Sequence, residues 1–512
     1  MKKPIITVLS LIFMFGLTIL GLLLLNLYFF TWPLIGFGIF HLLAIIWAFI
    51  VLADKKRRFE TRIRWFCFIV VIPIIGVLSY LFFGRSYKYK INTSYKLPEI
   101  ENKHLINELK EVDEILINQV PQFKRAFKTA MISQTNNIFL NSEVEFLKNG
   151  NELFLNLFKD ISNAKSHILL NFYIFKDGKL LEQLTNLLIK KLKENVKVYI
   201  IYDFAGSYTV FEKSRLKLLK HGCQIACFAP VRFPFIKWTA NYRDHRKDVV
   251  IDNKIGYIGG INIGDEYINL DNKFGYWNDC SLRITGNAVS EIQRIFISDY
   301  DFYKPFNKKR LTESDLNLNT IYPIYPVKSK NQLVQIVSSG PNHEEPLHLS
   351  IFINLINSAQ KRIWISTPYF IPPQEIRTAL ISAANSKLDV RILIPGLTDK
   401  AFLLDQTKQW TRELYKAGVK IYSINNVFNH NKTYLFDDEI TFIGSTNLDF
   451  RALFADQQTM GLIYSKKLNN TISKKFEQDF KNSYLYDHLP NKNINWFRKI
   501  IIKIYNIIQP LL

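Results

Sequence analysis

Cysteine is scarce: the 512 residues contain four, Cys67, Cys223, Cys227 and Cys280, and none of their spacings is that of a zinc site. Cys67 falls in an apolar run, while Cys223 and Cys227 fall in a strand-like stretch where positions i and i+4 share a face but stand too far apart for a bridge. The set reads as structural and disulfide-free. His343 and His348 offer no metal site either, because the intervening Glu344-Glu345-Pro346-Leu347 supplies neither a His-Glu-x-x-His spacing nor a helix; both are expected in a loop. Acidic residues are the other shortage: 44 Asp and Glu face 66 Lys and Arg, a net charge of +22. Such a surface seeks polyanions, either nucleic acid or anionic lipid.

Hydrophobic content decides between the two. Residues 1–85 read as a membrane anchor of two or three transmembrane segments: Ile5 to Phe30, Leu34 to Ala53 after a turn at Thr31-Trp32-Pro33, and a third apolar run from Trp65 to Phe83 that contains Pro73 and Gly76. The first run is too long for a signal peptide and has no small-residue cleavage site after it. Lys55, Lys56, Arg57, Arg58, Arg62 and Arg64 place the second connection in the cytoplasm. A third full span would carry the rest of the chain outside, whereas a re-entrant Pro73 segment would leave it inside.

Residues 86–131, polar and rich in Lys and Glu, read as a linker and lead-in. An alternation of helical and strand-like segments then runs twice, giving an α/β fold class with two lobes, 132–325 and 326–490, each a sheet flanked by helices. The equivalent strands starting at His167 and Arg362 lie 195 residues apart, so a duplication with a pseudo-twofold axis is expected. Residues 491–512 form an amphipathic segment with Arg498, Lys499 and Lys503 among isoleucines, either a docking helix or an in-plane membrane helix. Phe233-Pro-Phe-Ile-Lys-Trp238 reads either as buried packing or as a loop that dips aromatic rings into a membrane interface beside the active site.

The duplication carries chemistry. His245, Lys247 and Asp252 have the spacing His-x-Lys-x4-Asp, and His430, Lys432 and Asp437 repeat it. In both copies a glycine follows 14 residues and an asparagine 17 residues after the histidine: Gly259 and Asn262, Gly444 and Asn447. In an extended strand positions i and i+2 share a face, so each copy directs one imidazole and one ammonium to the same place. Two such pairs around one anion suit a phosphate. One imidazole can attack phosphorus while the other protonates the leaving alkoxide and later deprotonates the incoming hydroxyl. The covalent phosphohistidine conserves the energy of the diester, so no metal, nucleotide or other cofactor is called for.

These residues, with Asn241-Tyr-Arg-Asp-His-Arg-Lys247, Gly259-Gly-Ile-Asn262, Phe274-Gly-Tyr-Trp-Asn-Asp279, Ser366-Thr-Pro-Tyr-Phe370 and Gly444-Ser-Thr-Asn-Leu-Asp-Phe-Arg451, resemble the phospholipase D superfamily and, within it, the bacterial cardiolipin synthases. The resemblance implies two phospholipase D-like lobes and a phosphatidyltransferase in a bacterial cell membrane, multi-pass. Its partners would be the membrane and an anionic phospholipid, phosphatidylglycerol, with no nucleic acid expected. It also implies that His245 attacks and His430 does acid-base work, with Lys247 and Lys432 holding charge, Asp252 and Asp437 holding the motifs, and Asn262 and Asn447 contacting phosphate. Each histidine would be supported by a residue further along its own lobe, Asp279 for His245 and Gln458 for His430; the family commonly has a glutamate where Gln458 stands. A lipid or nucleic-acid phosphodiesterase and a catalytically weakened membrane scaffold are the competing readings.

Overall fold

A computed structural model describes residues 21, 32–55, 58–84, 103–131, 137–230, 242–271, 273, 275–303, 332–343, 345–398 and 401–486. The chain divides into two units. The smaller holds the described residues up to Gly84, the larger those from Lys103 onward.

In the smaller unit the second expected span is a helix, Trp32–Ala53, whose stretch Ile35–Ala53 has a mean hydropathy of 2.5 and is long and apolar enough to cross a membrane. The third apolar run is not one helix. It breaks at Ile72 into Phe59–Val71 and Pro73–Phe83, of 13 and 11 residues, each too short to span. Proline has no N–H to donate and drives the residue before it out of helical geometry, and Ile72 accordingly sits at φ −132°, ψ 75°. A Cβ at Gly76 would lie 2.6 Å from Ile69 Cα, so only glycine lets the second helix pack so closely on the first. The expected span from Ile5 to Phe30, the 233–238 loop and the segment 491–512 lie outside the described residues, apart from Gly21.

The larger unit is a mixed α/β structure built on two sheets. The first contains β1 (Ser142–Leu147), β2 (His167–Phe172), β3 (Lys197–Asp203), β4 (Gln224–Phe228), β5 (Lys247–Ile251), β6 (Ile255–Gly259) and β7 (Ser281–Gly286), in the spatial order β1-β7-β6-β5-β2-β3-β4. The second contains β8 (Leu333–Ser339), β9 (Arg362–Ser366), β10 (Asp389–Pro395), β11 (Lys420–Ile424), β12 (Thr433–Phe436), β13 (Ile440–Gly444) and β14 (Asp456–Tyr464). Its order, β8-β14-β13-β12-β9-β10-β11, repeats the first sheet strand for strand, with short additions at the two edges. In each, three strands linked by helices run parallel and the rest antiparallel.

Alternation along the strands explains the layers. Leu169, Tyr199, Val250, Ile258 and Leu282 of the first sheet share a core with Ile336, Trp364, Leu393, Leu435 and Ile463 of the second, while Ile168, Leu170, Ile200 and Val249 turn to outer helices. Strands buried on both faces need continuous apolar sequence, as these have. The segment read from its polarity as a linker is, from Lys103, part of this core. Helices Lys103–Asn118 and Lys124–Met131 bury Val112, Ile115, Leu116, Phe127 and Ala130 against the second sheet. Strand Ile138–Phe139 extends that same sheet by pairing with β8.

Candidate active site

Each motif is anchored at its aspartate. Asp252 and Asp437 turn the chain at φ +54° and +52°, a left-handed conformation that a short polar side chain tolerates. The Asp252 carboxylate accepts the main-chain N–H groups of Lys165, Ser166 and His167 at 2.8–2.9 Å. Asp437 does the same for Gln360, Lys361 and Arg362. This locks β5 to β2 and β12 to β9 in register, and so determines which residues arrive at the opposite strand ends.

The histidines do not lie on β5 and β12, as an unbroken strand reading expects. Each sits where the chain changes partner. Before His245, the two-residue strand Arg243–Asp244 pairs in parallel with Asp456–Gln457 of β14. Before His430, Val427–Asn429 pairs in parallel with Tyr276–Asn278. The histidines continue these ladders: His245 N–H donates to Gln457 O at 2.9 Å and His430 N–H to Asn278 O at 2.7 Å.

The pairing exchanges the supporting residues. One step beyond Asp244 and Gln457 stand His245 and Gln458, whose Nδ1 and Oε1 are 3.3 Å apart. One step beyond Asn429 and Asn278 stand His430 and Asp279, with Nδ1 2.6 Å from Oδ2. The expectation that Asp279 backs His245 and Gln458 backs His430 is therefore corrected. Each histidine is backed from the other sheet's strands, because register neighbours across the parallel ladders face each other. Gln458 Oε1 also accepts from Ser445 Oγ at 2.6 Å.

The four basic groups act on one another's charge. Burial first, then Lys247 and Lys432, holds the His245 imidazole well below its usual range. His430 is brought down to about 4 by burial and Lys432, with Asp279 opposing. Lys247 is held well below the usual ammonium range by burial and by Lys432, and burial brings Lys432 down to about 8 with Asp279 opposing. Each ammonium donates to the main-chain oxygen of its own histidine. Lys432 Nζ also approaches His430 Nδ1 at 2.7 Å and the Asp279 carboxylate at 3.6 Å. Two mutually repelling lysines with one carboxylate among them leave an excess of positive charge in a low-dielectric place, which favours an anion.

The expected asparagines differ in their engagements. Asn262 accepts from Ile174 N–H at 3.2 Å and donates to Tyr267 Oη at 3.3 Å, whereas the buried Asn447 Oδ1 has no hydrogen-bond partner. Glycine is required in the turns before them: a Cβ on Gly260 would collide with the Asp279 carboxylate, and one on Gly444 with Thr459 O. Among the described residues no group of three or more His, Cys, Asp and Glu side chains is gathered for a metal ion.

Sequence reasoning passed over Arg246. Its side chain is 1 % exposed and ties the two halves, donating to Asp299 at 2.8 Å, Thr459 Oγ1 and Gln457 Oε1 at 3.0 Å, and Gln458 O. His348, expected in a loop, opens the helix Leu347–Ser358 and is buried, with Val337 O and Thr446 Oγ1 as partners at 3.0 and 2.9 Å. It braces the second small-residue turn. Arg246 stands inside the first motif among Asp244, His245, Lys247 and Asp248, a charged run that gives no sign of burial.

The family described as cardiolipin synthase, PLD-like domain matches residues 157–299 and 352–480, and a phospholipase D-nuclease N-terminal family matches 42–85. A cardiolipin synthase of Alkalihalophilus pseudofirmus is 32% identical over 94% of this chain and 95% of its own length. Cardiolipin synthase 1 of Bacillus cereus is 32% identical over 100% of both chains, and the major cardiolipin synthase of Bacillus subtilis 35% identical over 88% of this chain and 92% of its own. Among solved structures, the phosphatidylserine synthase of Haemophilus influenzae superposes with a TM-score of 0.57 at 15% identity, covering 76% of this chain and 100% of its own, a likeness of fold.

Proposed function

Because the chain belongs to the cardiolipin synthase family of phospholipase D-like proteins, we propose that it transfers a phosphatidyl group from one phosphatidylglycerol to the terminal hydroxyl of another, giving cardiolipin and glycerol. The observation that supports this reading is the exchanged ladder, which backs each histidine from across the duplication while the charges of Lys247, Lys432 and His430 all act on His245. One imidazole attacks phosphorus and the other moves the proton of the leaving and then of the entering alcohol. Lys247 and Lys432 balance the phosphoryl charge; Asn262 and Asn447 contact its oxygens. Asp252 and Asp437 keep the strands in place, and Asp279 and Gln458 orient the rings.

The identical strand order supports reading the two sheets as two lobes related by a pseudo-twofold axis. On this reading the lobes are 132–325 and 326–490, except that 103–131 and the strand Ile138–Phe139 go with the second sheet. The broken third run supports a re-entrant hairpin after the spans, a multi-pass anchor that leaves the catalytic part on the side of the Lys55 to Arg64 cluster. Protease digestion of inside-out vesicles checks this: cleavage beyond residue 103 only in right-side-out vesicles would refute it.

Purified protein in phosphatidylglycerol micelles, without added metal or nucleotide, tests the function. Cardiolipin and glycerol in equal amounts are expected. Phosphatidic acid as sole product would mean a hydrolase, and no turnover a scaffold.

A further inference from the structure

The place of Arg246 has a counterpart in the second motif that is not an arginine. Asp244, Arg246 and Asp248 alternate with His245 and Lys247, whereas Asn429, Asn431 and Thr433 alternate with His430 and Lys432. In the first half the Arg246 guanidinium fills the space behind the motif, donating to Asp299 of the helix Val289–Tyr303 at 2.8 Å and to Gln457 Oε1 at 3.0 Å. Asn431 is too short for such a reach. A cavity lined by Ser366, Asn431, Thr433, Lys475, Phe476 and Asp479 adjoins it, and its buried Oδ1 has no hydrogen-bond partner. The second half takes its cation from elsewhere.

Lys475 lies on the helix Lys466–Lys481, which follows β14 as Val289–Tyr303 follows β7. Its ammonium donates to Asn278 Oδ1 at 3.0 Å and to the Asp479 carboxylate at 2.9 Å. Asn278 and Gln457 hold the same station in the two halves, each one residue before the group that backs a histidine, Asp279 or Gln458. Resting on the proposed function, we infer that Lys475, held by Asp479, is a positioning residue for the His430–Asp279 pair, supplying from a helix the brace that Arg246 supplies from the motif itself.

The route from Lys475 to the ring is short. The main-chain oxygen of Asn278 accepts the His430 N–H at 2.7 Å, and its Nδ2 donates to Asn429 Oδ1 at 3.2 Å. Asn429 donates in turn to Ser366 Oγ at 2.9 Å, and Asn431 Nδ2 donates to Asn429 Oδ1 at 3.1 Å. Asn278 and Asn429 are buried, so an amide oxygen left there without a donor is costly. Without Lys475, Asn278 Oδ1 loses the donor that the described residues give it, and the side chain must turn to find another. Its next residue is Asp279, whose carboxylate stands 2.6 Å from His430 Nδ1. The consequence falls on the placement of the ring.

A lysine and an aspartate four places apart on a helix commonly form a solvated surface pair of little worth. This pair is mostly enclosed, with side chains 16% and 12% exposed. Ile472, Phe476 and Phe480 seat the same helix in the core that the two sheets share, which fixes where Lys475 emerges. An ammonium so desolvated is tolerated only when its hydrogen bonds are well directed. One goes to its own helix, and the other goes to the ladder.

Glycerol release from phosphatidylglycerol micelles reads headgroup departure whatever the acceptor. Lys475→Met is expected to lower kcat about tenfold with KM changed by less than about twofold, and Lys475→Arg to keep most of the wild-type rate. Lys475→Met combined with Asn431→Arg moves the cation to the motif strand, as in the first half, and should regain much of the loss. The exposed neighbour serves as control: Lys474→Met is expected to leave kcat unchanged. A wild-type kcat in Lys475→Met, a loss confined to KM, or no recovery in either arginine variant overturns the inference. A second measurement needs no turnover. The ring-nitrogen resonances of His430 in selectively labelled protein, identified by their absence from His430→Ala, should move in Lys475→Met and stay in Lys474→Met; unmoved resonances in Lys475→Met refute the brace. Wild-type protein that releases glycerol but makes phosphatidic acid would overturn the proposed transfer, while a kcat loss in Lys475→Met with recovery by arginine would still support the role of Lys475.

Discussion

Behind His430 stands a carboxylate at 2.6 Å, and behind His245 an amide at 3.3 Å, although the turns that anchor the two motifs match to within 2° in φ and in the three N–H groups each aspartate gathers. A duplicated unit has thus kept its mechanical parts equal while its proton-handling parts have diverged. Parts that hold a backbone in register serve both halves in one way. Parts that tune an imidazole need not, because a double displacement asks one ring to bind phosphorus and the other to carry a proton.

The comparison can be strained at several points. Replacing either histidine by alanine is expected to lower cardiolipin formation by about 10³-fold or more, measured as product per unit time in phosphatidylglycerol micelles. Unequal losses would already rank the two rings. Next in size is Asp279→Asn, expected to lower kcat by roughly 10²-fold, against no more than about tenfold for Gln458→Ala; equal losses would erase the distinction between the halves. Asp252→Ala and Asp437→Ala each orphan three main-chain N–H groups, at a cost of about 1–3 kcal/mol in chemical unfolding. Similar values from the two are expected, and a large difference would show that the anchors too have diverged.

The smallest effect is the most telling. Gln458→Glu places a carboxylate at His245 Nδ1 and stabilises the imidazolium, so the ring's pKa rises. The limb of the kcat/KM profile that reports the His245 ring should move to higher pH by about one unit. Movement to lower pH would show that the side chain at 458 does not act on the His245 ring.

Much of this was legible before any fold was drawn. The repeated spacing from histidine to aspartate, and onward to Gly259 and Gly444, comes from strand and turn geometry that acts over a few residues, and such patterns survive in linear order. What backs each histidine does not. It depends on ladders of two and three residues, Arg243–Asp244 with Asp456–Gln457 and Val427–Asn429 with Tyr276–Asn278, too short to show a period and formed across 213 and 151 positions in the chain. Proximity in sequence favoured the wrong pairing. The lead-in helices were hidden differently: the solvated face of Lys103–Asn118 dominates its composition, although Val112, Ile115 and Leu116 have the spacing of one buried stripe. The third apolar run shows the converse, with Pro73 outweighing the hydrophobic length around it.

The crossed ladders also govern when the protein becomes reactive. A growing chain that has just completed its first sheet possesses His245 and Lys247, yet the strand that receives Arg243–Asp244 begins 170 residues beyond β7, at Asp456. Closing contacts over such separations is slow and is rewarded only once both sides exist. A chain that stops short of Asp456 therefore lacks the strand that holds Arg243–Asp244 and the Gln458 side chain that backs His245, so the site is assembled only once both halves are made.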